Sequence, residues 1–266
     1  MEAIRFRLLG PVATIVDGRA HSLPRAQTRG LFAYLLLNAG RPVAVDAVIG
    51  ALWGGTEPST ARSQISAAVG TIRRELARLG EPEAVVSGPF GYQAGIEPER
   101  VDALAFDRGL RRALSADLAD TDRAHRLREI LECSSGRPLQ DAAGAFVEAE
   151  RARLTGLRLT AIEELAEADL SLGRAVDVVA RLTGLVHEYP LRERLRAQLM
   201  VALYRCGRTA EALEVFRAGR ASLVAELGIE PGPELGRLLS ELEEAAYAGE
   251  ATTREQAVAL ARRLRA

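Results

Sequence analysis

The sequence predicts a mainly α protein in two parts: an α+β domain over residues 1–97, then an all-α domain over 101–247 with a polar tail, helical or flexible, over 248–266. Three observations carry this. Strand-like alternation and turn dipeptides are confined to the first hundred residues. From Val101 onward the pattern is helical almost throughout, and that second part repeats itself at a spacing of 34 residues.

The elements follow in order. Ile4, Phe6 and Leu8 alternate with Arg5 and Arg7 as a strand ended by Gly10-Pro11. Val12 to Val16 and Ala20 to Leu23 are two further strands, joined by the hairpin signal Asp17-Gly18. A helix follows from about Thr28, with Leu31, Leu35 and Leu36 apolar and Gly40 past its end. Residues 43–54 read as a short amphipathic helix whose N-cap is Asp46 or the residue before it. Residues 54–59, GGTEPS, are a loop by composition.

The segment STARSQISAAVGTIRRELARLG, 59–80, is a long helix. Its apolar stripe is Ala61, Ile65, Val69, Ile72, Leu76 and Leu79. The opposite face carries Ser63, Ala67, Gly70, Thr71, Arg74 and Arg78, with no acid before Glu75. Short side chains let a helix approach base edges closely, and Gln64, Thr71, Arg73 and Arg74 add donors and acceptors, Arg being able to pair bidentately with guanine. Arg62, near the helix start, favours phosphate. Packing of the small-residue face against another helix is the alternative. Residues 84–96 then form a β-hairpin around Ser87-Gly88-Pro89-Phe90-Gly91, whose tip carries no Arg or Lys.

Strands, two helices joined by a loop, and a closing two-stranded ribbon make the arrangement of a winged helix-turn-helix. In that frame Ser87, Gly88, Phe90 and Gly91 are candidate wing contacts, or else a turn that closes the domain. Arg25, Gln27, Thr28 and Arg29 open the first helix and can hold phosphate, or are simply solvated. Trp53, the single Trp, is a core anchor whose indole N–H can also reach a phosphate. Tyr92 belongs to the core.

In the second part, Leu170-Ser-Leu-Gly173-Arg174 aligns with Tyr204-Arg-Cys-Gly207-Arg208, and Ala168, Asp177, Val179 and Leu182 with Ala202, Glu211, Leu213 and Phe216. A 34-residue helix–turn–helix period has tetratricopeptide length. Pro233 is expected near the start of a final helix, Glu234 to Ala246.

Composition excludes more than it assigns. All 35 basic residues are Arg, which removes a Walker A, Schiff-base or kinase lysine. Cys133 and Cys206 have no CxxC spacing and read as buried small hydrophobes. The three His residues have no matched ligand spacing, so neither metal, cofactor nor catalysis is expected. Residues 1–95 hold ten Arg against seven acids, while the rest of the chain is net acidic, a hint of a polyanion-binding first half. No signal peptide or membrane-spanning run is read, which points to the cytoplasm.

The stretch IRFRLLGPVATIVDGRAHSLPRAQTRGLFAYLLLNAGRPVAVDAVIGALWG resembles the opening of the Streptomyces antibiotic regulatory proteins, with its "LGP…DG" strand pair and "GRPV" to "LWG" run. Residues 191–235, ending in LGIEPGPEL, are similar to the family's bacterial transcriptional activation domain. The resemblance implies an OmpR-type winged helix fused to a tetratricopeptide-like domain, in a small stand-alone activator of a secondary-metabolite cluster. It implies binding to direct repeats of promoter DNA near the −35 element as a homodimer, and recruitment of RNA polymerase holoenzyme. By position, Thr60–Leu79 becomes the recognition helix and 85–96 the wing. Gly54–Ser59, with Gly55, Thr56, Glu57 and Ser59, becomes a loop facing polymerase. The other reading of the residues is a helical-repeat scaffold or ligand-gated regulator with little DNA affinity of its own; no residue set points to an effector.

Overall fold

The computed structural model describes residues 4–115, 117–134 and 136–227. The chain divides into two compact units, 1–168 and 169–266.

The first unit opens with strands β1 (Arg5–Arg7), β2 (Ala13–Val16) and β3 (Arg19–His21), an antiparallel sheet in that order. Val16 pairs with Arg19 across Asp17-Gly18, both at positive φ, so the turn is the two-residue hairpin that matches strand twist. Helix α1 (Ala26–Leu37) lays Leu31, Phe32, Leu35 and Leu36 into the core, where Phe32 meets Phe6 edge-on at 5.9 Å. Helices α2 (Val45–Trp53) and α3 (Ala61–Arg78) follow. Strands β5 (Val85–Gly88) and β6 (Gly91–Ala94) form the hairpin.

Two local expectations are corrected. Val43 does not open a helix but belongs to a two-residue strand, β4 (Pro42–Val43), so the second sheet has three strands in the order β4-β6-β5. With Val43 drawn into that sheet, α2 starts later and its N-cap is Ala44, leaving Asp46 in the first turn. Neither cysteine is buried: Cys133 is exposed and Cys206 half-exposed.

After a 3-10 turn at Pro98–Arg100 come α4 (Asp102–Ser115), α5 (Asp120–Glu132) and α6 (Val147–Ser171). Asp102 joins α4 to the first sheet. Its Oδ1 accepts from the backbone N–H of Leu8 at 2.6 Å and of Ala103 at 2.7 Å, and its Oδ2 from Leu9 at 3.0 Å. Burial pushes this carboxyl up from 3.8 to about 6, against the pull of those three donors. Between those values the folded chain keeps a proton that the unfolded chain has lost. The contribution is therefore full below about pH 4 and lost as pH rises through about 6. The gap in melting temperature between wild type and Asp102→Asn should narrow as pH is raised across that window; a constant gap would mean that the carboxyl titrates normally.

Residues 136–146, between α5 and α6, run as a strap over the early elements. Leu139 N–H donates to Leu8 O, Gln140 N–H to Gly10 O, Ala143 N–H to Ala26 O, Ala145 N–H to Leu52 O and Phe146 N–H to Ala51 O. Asp141 accepts from Val12 N–H at 2.8 Å and pairs with Arg29 at 3.1 Å. The buried Arg151 donates to Pro138 O at 2.9 Å and to Leu139 O at 2.9 Å, which holds the strap from the α6 side. At Gly30 the strap runs so close to α1 that an added Cβ would lie 1.9 Å from Ala143 O.

In the second unit, α7 (Ala175–Glu188), α8 (Glu193–Arg205) and α9 (Thr209–Leu227) pack in sequence. The 34-residue repeat is written in the backbone. Gly173 and Gly207 sit at φ +75 and +74, where a side chain is strained. Arg174 N–H donates to Asp169 O, and Arg208 N–H, 34 residues on, to Leu203 O. Asp169 is fully buried and pairs with Arg181 at 2.9 Å. The expected final helix, Pro233, the LGIEPGPEL signature beyond Leu227 and the 248–266 tail lie outside the described residues.

Candidate nucleic-acid interface

Helix α3 folds because its stripe is continuous: Ala61, Ile65, Val69, Ile72 and Leu76 are all buried. What the stripe leaves outward is Arg62, Ser63, Gln64, Ser66, Ala67, Arg74, Ala77 and Arg78, with Gly70 and Thr71 half-exposed. The first turn holds no acid. Ser63 Oγ donates to Thr60 O at 2.8 Å, Gln64 Nε2 to Thr60 Oγ1 at 2.9 Å and Thr71 Oγ1 to Ala67 O at 3.2 Å. Ser63 and Thr71 thus lie back on the helix and keep its surface low, while the longer Gln64 rests against Thr60. A Cβ at Gly70 would meet nothing within 4 Å, so nothing in the fold requires glycine there.

The three arginines read as contacts separate. Arg74 is exposed and, among the described residues, hydrogen-bonds only to Thr71 Oγ1, at 3.2 Å. Arg62 reaches back to Asp46 Oδ1 of α2 at 2.6 Å, yet both side chains remain largely in solvent. Arg73 turns toward the hairpin, donating from Nε to Val85 O and from Nη2 to Ser87 Oγ, each at 2.8 Å. The pairing of Asp46 with Arg62 has no signal in the sequence, since the two lie 16 residues apart on different helices.

A cavity of about 410 Å³ opens between the start of α1, the end of α2 and α3. Leu31, Leu52 and Ile65 floor it, and Arg25, Gln27, Trp53, Gln64 and Thr71 line it. The backbone candidates fare differently here. Arg25 is exposed and Trp53 half-buried at the cavity. Thr28 is only 6% exposed, so it can meet a ligand only from inside the cavity. Arg29 is corrected: its guanidinium is spent on Asp141 and on Leu23 O at 2.6 Å, which makes it a brace for the strap rather than a free cation.

On the hairpin, Gly88 pairs with Gly91 across the two-residue turn Pro89-Phe90. Phe90 stands 75% exposed at the tip, and Ser87 and Gly88 are exposed beside it. Gly91 has a fold reason for being glycine: φ is +129 and a Cβ would lie 2.0 Å from Val43 O, the approach that lets β4 join the sheet. Tyr92 is half-buried. The loop after α2 is exposed at Gly55, Thr56, Glu57 and Ser59, and Thr56 Oγ1 donates to Trp53 O at 2.8 Å.

Among the described residues no group of His, Cys, Asp and Glu could hold a metal ion, and no helix is long and apolar enough to cross a membrane.

The model of the bacterial transcriptional activator domain matches residues 101–243. Regulatory protein AfsR of Streptomyces coelicolor is 38% identical over 239 residues, which are 89% of this chain and 24% of AfsR, so the chain spans about a quarter of that relative. Regulatory protein DnrI of Streptomyces peucetius is 33% identical over 88% of this chain and 90% of DnrI. The solved structure of Mycobacterium tuberculosis EmbR in complex with a low affinity phosphopeptide aligns with a TM-score of 0.76 at 32% identity, over 97% of this chain and 69% of that one.

Proposed function

The chain belongs to the Streptomyces antibiotic regulatory protein family, and from that membership we propose that it is a sequence-specific, DNA-binding activator of transcription. One observation carries the reading: the solvent face of α3 is cleared to small residues and arginines although nothing in the fold asks for it at Gly70. In the major groove, Ser63, Ala67 and Gly70 admit close approach, Thr71 and Gln64 reach base edges, and Arg74 offers an exposed guanidinium fork to guanine. Arg25, Thr28 and Trp53 meet the sugar–phosphate backbone at the cavity beside α1, with Gln27. Phe90 and Ser87 bring the wing to the flanking backbone. Relatives named as regulatory proteins support a regulatory role, which we place in the cytoplasm at promoters of a secondary-metabolite cluster. There the protein binds direct repeats near the −35 element as a homodimer, and the loop from Gly55 to Ser59 faces RNA polymerase.

Arg62 tests the electrostatic half of this reading. Its exposed pair with Asp46 is worth no more than about 1 kcal/mol, so a phosphate can replace the carboxylate. In gel shifts of the full chain on promoter fragments, Arg62→Ala should weaken binding to every sequence alike and lower the salt slope by about 1. Arg74→Ala should instead change sequence preference. Binding untouched by either substitution would overturn the assignment of α3.

A further inference from the structure

The hairpin is attached unevenly. Strand β6 is held by β4 through Val43↔Tyr92, by Gly40 N–H on Ala94 O at 2.8 Å and by Gln93 Nε2 on Gly40 O at 3.2 Å. Strand β5 lies at the edge, paired on one side only, and past Val85 it is exposed. In an antiparallel pair, alternate residues turn their carbonyls away from the neighbour. Ala84 O is taken by Gly95 N–H at 3.0 Å, so the next carbonyl, that of Val85, points outward. That is where Arg73 takes it. The same guanidinium also holds Ser87 Oγ two residues along, so one planar fork grips the edge strand at two points. Arg74, one position on and about 100° round the helix, makes no such contact.

We propose that Arg73 is a positioning residue for the wing: it fixes the distance and tilt between α3 and the Pro89-Phe90 tip, and so acts on DNA through β5 rather than through a base. This rests on the reading of α3 and the hairpin as the DNA interface. It divides neighbouring arginines of one helix between two tasks, Arg74 for sequence and Arg73 for geometry. A lysine ends in one compact ammonium and has no pair of nitrogens to match the two acceptors, so it does not reproduce the grip.

Two measurements on the full chain test it, the first without DNA. Hydrogen exchange at the amides of residues 85–88, 90 and 91 should be about tenfold faster in Arg73→Ala than in wild type, while α3 is unchanged. Arg73→Lys should not restore protection. Should Arg73→Ala fail to fold, judged by Trp53 fluorescence, Ser87→Ala removes one of the two bonds without touching α3 and should give about a threefold increase. Wing amides as protected as in wild type would overturn the proposal. The second measurement is hydroxyl-radical footprinting: Arg73→Ala should lose protection on the wing side with base preference unchanged. A changed base preference with wing protection intact would make Arg73 a base contact and overturn it. If wild type leaves no footprint, the DNA reading itself fails, and the exchange result still decides what Arg73 does for the wing.

Discussion

Gly30→Ala should destabilise the first unit by about 3 kcal/mol, against the usual sign for such a change. Glycine inside a helix costs roughly 1 kcal/mol relative to alanine, so replacing it ordinarily stabilises. Here the new methyl would lie 1.9 Å from Ala143 O, a backbone atom held in place by Ala143 N–H on Ala26 O and by Asp141 on Val12 and Arg29. Neither α1 nor the strap can give way without breaking those bonds. The single Trp53 follows Leu52, whose carbonyl the strap also holds, so its fluorescence during urea unfolding reports this unit directly. A midpoint equal to or above that of wild type would mean that the strap does not sit against α1.

Gly70 should behave in the opposite way. Its Cβ position is empty, so Gly70→Ala should stabilise the unit by up to about 1 kcal/mol. The loss should appear only on DNA: a methyl on the groove-facing surface weakens specific binding, and Gly70→Glu, which brings a carboxylate to the phosphates, should weaken it by about a hundredfold or more with the fold intact. Equilibrium binding and urea midpoints on the same samples check both halves. A Gly70→Glu protein that binds promoter DNA as well as wild type would remove α3 from the interface. The two helix glycines thus separate what the fold demands from what a partner demands.

The local parts of this architecture were legible because their signals are local. The α3 stripe, the Asp17-Gly18 hairpin and the repeated Gly-Arg turns each declare themselves within a few residues. What escaped depends on distant partners. Strand β4 is two residues long and exists only because Tyr92 and Gln93 pair with it. Arg73 and Arg74 are indistinguishable as letters, and only the carbonyl of Val85 separates them. Arg29 is one more basic residue at a helix start until Asp141 arrives, 112 positions on, to occupy it. The strap carries neither helical nor strand periodicity, so residues 136–146 offered no pattern by which to find it.

The strap also orders events during synthesis. The amides of Leu8 and Val12 find Asp102 and Asp141 only after 94 and 129 further residues. Strands made first must therefore wait, incompletely bonded, for a segment translated much later. Contacts of such separation slow folding and leave early intermediates exposed. A chain cut after the hairpin would lack Asp102 and the whole strap, so the smallest piece able to mature on its own runs to near the end of α6, where the first compact unit ends at Ala168.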